Sequence, residues 1–164
     1  MIQVIVDDLA LTQADAVVRP ADATLEPVTP AMSRLDEQAG PRFAEQRRLS
    51  FPLKAGAAVV TGSGDLTAPF VLHVVIQDSD SGVGREVVRR ALVSAWQRAT
   101  DWELGTIATP LVGAGAGQLS VEEAATLLAE TFPSGPGGCP SELHIVVDQD
   151  ADKELVEAIV RRRA

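Results

Sequence analysis

The sequence predicts an α/β protein, a sheet covered by helices on both faces. Short β-branched runs alternate with amphipathic helical stretches from end to end, the pattern of a sheet flanked by helices. No internal repeat and no linker-like stretch divides the 164 residues, a length that suits one domain, 1–164, with a sizeable core.

Ile2 to Val6 reads as a buried strand, followed by Asp7, Asp8 and a short loop. Ala16, Val17 and Val18 form a second strand, ended by Arg19-Pro20-Ala21-Asp22. Thr29 followed by Pro30 is a helix start, with threonine as the cap and proline in the first turn, where a missing N–H costs nothing. Ala31, Leu35 and Ala39 supply its apolar stripe, and Gly40-Pro41 stops it before a further helical turn over 42–49. Strands are expected at Ala55 to Thr61 and Val71 to Ile76. From Arg85 to about Ala99 an amphipathic helix places Val87, Val88, Ala91, Leu92, Ala95, Trp96 and Ala99 on one face. Thr106 to Val112 is the next strand, Val121 opens the next helix, Leu143 to Val147 is the last strand, and Leu155, Val156, Ile159 and Val160 stripe the final helix behind an Asp150 cap.

The stretch Ile107 to Ala125 is where a ligand is expected. Gly113, Gly115 and Gly117 alternate between a strand and a helix start, and glycine lets backbone turn through positive φ and approach a ligand closely. Ser120 and Glu123 have capping-box spacing. A run of backbone N–H groups beside a helix N-terminus can hold phosphate without lysines. A tight strand-to-helix turn with nothing bound fits the same spacing. A dinucleotide fingerprint does not, because Gln118 stands where its third glycine would be; nor does a P-loop, whose terminal Lys-Ser/Thr is absent.

Composition narrows the function further. The net charge of −9, from 23 acidic against 14 basic residues, argues against nucleic acid as a partner, since that affinity comes largely from neutralised phosphates. The pairs Arg47-Arg48 and Arg89-Arg90 and the tail Arg161 to Arg163 read as solvated faces and a dipole partner. No apolar run reaches the ~18 residues of a membrane span, and the N-terminal residues do not read as a signal peptide. Cys139 is the only cysteine, so a reducing compartment, the cytoplasm, is expected. Two histidines, His73 and His144, and one cysteine without close spacing do not make a metal site. Ser63 and Ser120 have no evident base, so nucleophilic catalysis is not supported.

Several segments together resemble the macro domain, the module family that binds ADP-ribose. Asp8-Leu9 followed by Asp15-Ala16-Val17-Val18 looks like the family's opening strand, loop and second strand. Leu25, Leu35 and Ala39-Gly40, and then Gly56, Ala58, Thr61 and Gly64 before Leu72-His73, fall at its spacings. Pro110 to Gly117, ending in Glu122 to Ala125, is the closest stretch. The resemblance implies a three-layer α/β/α domain with a mixed central sheet. It further implies that Asp8 accepts from an adenine amino group with the Leu9 backbone beside it. Gly113, Ala114, Gly115, Ala116 and Gly117, continuing into Gln118 and Leu119, would wrap a diphosphate, faced from the other side by Ala31 and Met32. Asp22 stands where the family has an asparagine on the distal ribose. The implied partners are an ADP-ribose-like nucleotide and an ADP-ribosylated protein, with no cofactor and no metal.

The departures from the family pattern bear on function. Asn-Ala-Ala-Asn is here Arg19-Pro20-Ala21-Asp22, and a carboxylate only accepts where an amide also donates. The glycine run that follows is replaced by Glu26-Pro27-Val28-Thr29-Pro30, which lacks two N–H donors. Leu119 and Val147 stand where aromatic residues are common. Three functions stay open: a binding module; an ADP-ribosyl hydrolase or O-acetyl-ADP-ribose deacetylase with Asp22 positioning or deprotonating a water; and a degenerate domain with a structural or protein-interaction role. Blander readings stand beside the site residues. Asp8 and Asp22 could cap turns, His73 reads as a core histidine with bonded ring nitrogens, and Trp96 reads as core.

Overall fold

A computed structural model describes residues 1–115, 118–133, 135 and 137–163. Strands β1 (Ile2–Val6), β2 (Ala16–Asp22), β3 (Ala58–Gly62), β4 (Phe70–Gln77), β5 (Thr106–Thr109) and β6 (Glu142–Val147) form a sheet in the order β1-β6-β5-β2-β4-β3. Every neighbouring pair is parallel except β3 with β4, so the sheet is mixed. The helices are α1 (Pro30–Ala39), α2 (Pro41–Gln46), α3 (Arg85–Asp101), α4 (Val121–Thr131) and α5 (Asp150–Arg163).

The period of two along each strand sorts the side chains between two helix layers. Val17, Val71, Ala108 and Val146 pack with Met32, Leu35, Ala39 and Phe43 of α1 and α2. Their sequence neighbours Val18, Leu72, Ile107 and Ile145 turn the other way, onto Val88, Leu92 and Trp96 of α3, Leu128 of α4 and Val156 of α5. Both faces of the sheet are therefore dry, and the three layers α/β/α follow from alternation alone. Trp96 is core, its indole N–H donating to Thr131 Oγ1 at 3.0 Å.

Local chemistry sets the ends of the elements. Thr29 Oγ1 accepts from the Met32 N–H at 3.3 Å, and Gly40, at φ +83°, ends α1 so that Pro41 can begin α2. Ser120 and Glu123 close their capping box at 3.1 and 3.2 Å. Three strand boundaries depart from the sequence expectation. β3 begins at Ala58, not Ala55, because the chain first turns at Gly56, φ +98°, with the Ala57 N–H donating to Lys54 O at 3.1 Å. β5 stops at Thr109, since Pro110 cannot donate to a ladder. β2 runs on through Arg19-Pro20-Ala21-Asp22. Its pairing with β5 covers only Ala16 and Val17, so Pro20 lies where the strand keeps one neighbour, β4, and a missing N–H is tolerated. Among the described residues, no helix is long and apolar enough to cross a membrane.

Candidate functional site

Parallel strands end on the same edge of the sheet, and there the chain leaves an open crevice of about 890 Å3. At one end lie Asp7, Asp8 and Leu9 after β1, with Val147 at the end of β6 and Asp148 after it. At the other lie Pro110, Leu111 and Gly113 to Gly115 after β5, with Pro20 of β2 and Ile76 of β4. Helix α1 runs along the crevice between these ends. Its cap Thr29 faces the glycine turn, since a Cβ on Gly115 would come within 3.9 Å of Thr29 Cγ2. Near its C-terminus, Gln38 Nε2 donates to Asp8 Oδ2 at 3.3 Å. Ala31, Leu35 and Gln38, spaced at three and four residues, line the crevice from the same helix face.

Electrostatically the two ends differ. Carboxylates gather at the β1/β6 end, where Asp8 Oδ1 also accepts from the Ala10 N–H at 3.0 Å and Asp7 Oδ1 from the Asp8 N–H at 2.7 Å. The glycine end is apolar and backbone-lined. Gly113 and Gly115 take positive φ, +92° and +79°, conformations that favour glycine. The first turn of α1 carries no acidic residue, so its positive dipole end is uncompensated. That of α4 carries Glu122 and Glu123 and is satisfied by its own capping box. The crevice thus opens between the glycine turn and the first turn of α1, not against α4.

Of the residues singled out in the sequence, Asp8, Leu9, Ala31, Met32, Gly113, Ala114 and Gly115 come together on this crevice. Ala116 and Gly117 lie outside the described residues. Gln118 is exposed and does not line the crevice. Leu119 turns into the core, packing close to Gly113 and to Val88 of α3. Asp22 stays off the crevice wall as well. Its Oδ1 accepts from the Thr24 N–H (2.8 Å), Thr24 Oγ1 (2.9 Å) and the Glu26 N–H (3.0 Å), capping the turn after β2 in the manner of an aspartate turn. Ala21 pairs with Pro27 across that turn. Asp22 Oδ1 is thus engaged by its own turn, and the Leu119 side chain packs in the core.

Beneath α1 lies a polar group of residues that sequence reasoning missed. Arg19 is fully buried, on the sheet face shared by Val17 and directly across from His73 of β4. Its guanidinium forms a two-pronged pair with Asp36 of α1, at 2.8 and 2.7 Å, and Nη1 donates to Leu25 O at 2.8 Å. The Phe43 ring lies 5.5 Å from its carbon. His73 is core, as read from the sequence. Its Nδ1 accepts from Arg19 Nη1 (3.2 Å) and its Nε2 donates to Thr61 Oγ1 (2.7 Å), whose hydroxyl donates to Gly62 O. The partners on both nitrogens select the neutral ring. Burial, then the positive charges of Arg19 and Arg47, hold His73 well below its ordinary pKa. As pH falls through ~6.5 the unfolded chain takes a proton at this position that the native chain refuses, so stability is full above that pH and declines below it. The difference in unfolding free energy between the wild type and His73→Gln is expected to shrink by about 1.4 kcal/mol from pH 7.5 to 5.5 in urea titrations. A pH-independent difference would refute the assignment.

The chain belongs to the macro domain family, whose family model matches residues 18–128. An uncharacterized Aeropyrum pernix protein is 32% identical over 120 residues, 72% of this chain and 63% of that relative. A macro domain-containing protein of Caldanaerobacter subterraneus is 26% identical over 94% of this chain and 92% of its own length. An uncharacterized Mycobacterium tuberculosis protein is 21% identical over 94% of this chain, which spans 43% of that relative. The chain thus covers less than two thirds of the first curated relatives it matches. Among solved structures, the Trypanosoma brucei macrodomain in complex with ADP-ribose superposes with a TM-score of 0.80 at 20% identity, over 97% of this chain and 68% of that one. The Oceanobacillus iheyensis macrodomain with ADP gives 0.79 at 17% identity, over 97% and 89%. These structures share the fold described above.

Proposed function

We propose that this macro domain is a binding module for ADP-ribose or a related nucleotide. In this reading the diphosphate sits between the turn at Gly113 to Gly115 and the first turn of α1, held by main-chain N–H groups. The base lies toward Asp8 and the Leu9 backbone. The observation that carries it is the crevice itself, where an acidless helix N-terminus and a positive-φ glycine turn face each other at one end and Asp8 stands at the other. Complexes of macrodomains of the same fold with ADP-ribose and with ADP support the ligand class.

Hydrolytic removal of ADP-ribose from a carrier draws less support, because the Asp22 carboxylate that would handle the water is tied into its own turn. The test is calorimetric titration with ADP-ribose, expected to give saturable one-site binding. No heat and no thermal shift at millimolar ligand would defeat both readings and leave a structural or protein-interaction role. Release of ADP-ribose from a modified protein, lost in Asp22→Ala, would favour the enzyme instead.

A further inference from the structure

Two arginines from different parts of the chain meet at one backbone carbonyl. Leu25 O, in the turn between β2 and α1, accepts from Arg19 Nη1 at 2.8 Å and from Arg47 Nη1 at 2.9 Å. Leu25 is fully buried and held at φ +63°, a conformation that residues other than glycine rarely adopt. The same two guanidinium groups converge on Asp36 of α1, Arg19 through its two-pronged pair and Arg47 through Nη2 at 3.6 Å. Arg47, which caps the C-terminus of α2, also donates to Glu26 Oε1 at 3.2 Å. Its Nε is buried with no partner among the described residues. A side chain turned to solvent would avoid that desolvation cost and the repulsion of a second guanidinium, so the contacts it makes hold it inward.

Between Leu25 and Asp36 runs the segment that walls the crevice, Val28 and Thr29 before α1 and then Ala31, Met32 and Leu35 within it. From this juxtaposition we infer that Arg47, together with Arg19, is a positioning residue of the crevice. The pair fixes both ends of the α1 wall, and with them the separation of Thr29 from the glycine turn. Neither arginine lines the crevice, so the effect on a ligand passes through the wall. The inference rests on the nucleotide reading above and names what keeps that site in shape. The turn 22–29 contains no glycine, yet its path requires the positive φ of Leu25. Releasing Leu25 O lets the backbone there relax toward commoner conformations and carry Thr29 with it. A ligand then binds only the fraction of molecules whose wall is in place, and its apparent affinity falls by that fraction.

Calorimetric titration with ADP-ribose at pH 7.5 reads this in three variants. Arg47→Met keeps an apolar stem beside Phe43 but loses the donors, and is expected to weaken binding about tenfold. Arg47→Lys keeps a charged donor for Leu25 O and is expected to stay within about threefold of the wild type. Thr131→Val removes the acceptor of the Trp96 indole in the opposite helix layer; it lowers stability and is expected to leave affinity unchanged. Amide hydrogen exchange supplies the local readout, because the Leu25 and Glu26 N–H groups are both bonded to Asp22. Their exchange is expected to quicken in Arg47→Met while that of β4 stays as in the wild type. In the wild type, saturating ADP-ribose is expected to slow both amides, although neither residue lines the crevice. Wild-type affinity in Arg47→Met, an equal loss in Thr131→Val, or a lysine variant as weak as the methionine variant would overturn the inference. So would ADP-ribose that binds without slowing those amides, a result that needs no variant to fold. In each of these cases the wild type binds and the nucleotide reading survives. If the wild type does not bind at millimolar ligand, that reading fails and this inference with it.

Discussion

Arg19→Met is expected to lower the unfolding free energy by about 3–5 kcal/mol, measured by urea denaturation at pH 7.5. The guanidinium is fully buried, and its replacement leaves Asp36, 13% exposed, without its two-pronged partner. Arg47, at 3.6 Å, remains near Asp36 but cannot supply the same paired geometry. His73 Nδ1 loses its donor as well. Most of the penalty is the carboxylate stranded in a poorly solvated place, not the intrinsic worth of the pair. Arg19→Met/Asp36→Leu is therefore expected to recover much of the loss, because the stranded charge goes with its partner. A single-variant loss below about 1 kcal/mol, or a double variant no better than the single, would show that the pair is not the source.

Gly115→Val is expected to weaken ADP-ribose binding by about a hundredfold or more, read by calorimetry. Its Cβ would come within 3.9 Å of Thr29 Cγ2, so the γ-methyls would enter the part of the crevice where the diphosphate is proposed to sit. The position also has φ +79°, so a β-branched residue strains the turn that presents the N–H groups. The expected fold loss is modest by comparison, about 1–2 kcal/mol. Affinity retained within threefold in a folded variant would move the phosphate away from this turn.

The sheet and its helices were legible because alternation and helical spacing are local properties. Val17 and Val18, or Ile107 and Ala108, declare opposite faces by position alone. Caps were equally local: Thr29 with Pro30, Gly40 with Pro41, and Ser120 with Glu123 each act within one helical turn. Arg19 was not legible. A charged residue before proline reads as a strand end, and the reason to bury it, Asp36 seventeen residues away and His73 on the adjacent strand, exists only after β2 and β4 pair. The surroundings of Asp22 and Leu119 were hidden for a related reason. The turn that consumes one carboxylate and the core gap that takes the other side chain appear only when β2 extends four residues further and Gly113 packs beside Val88.

By itself the sequence determined the α/β class, most of the elements and the glycine turn after β5, because each depends on spacing within a few residues. Only the tertiary structure decided what else shares the crevice with that turn. The sheet order brings Thr29 of α1 opposite Gly115 at one end and Gln38 of the same helix onto Asp8 at the other, contacts between segments far apart in the chain that no local spacing encodes.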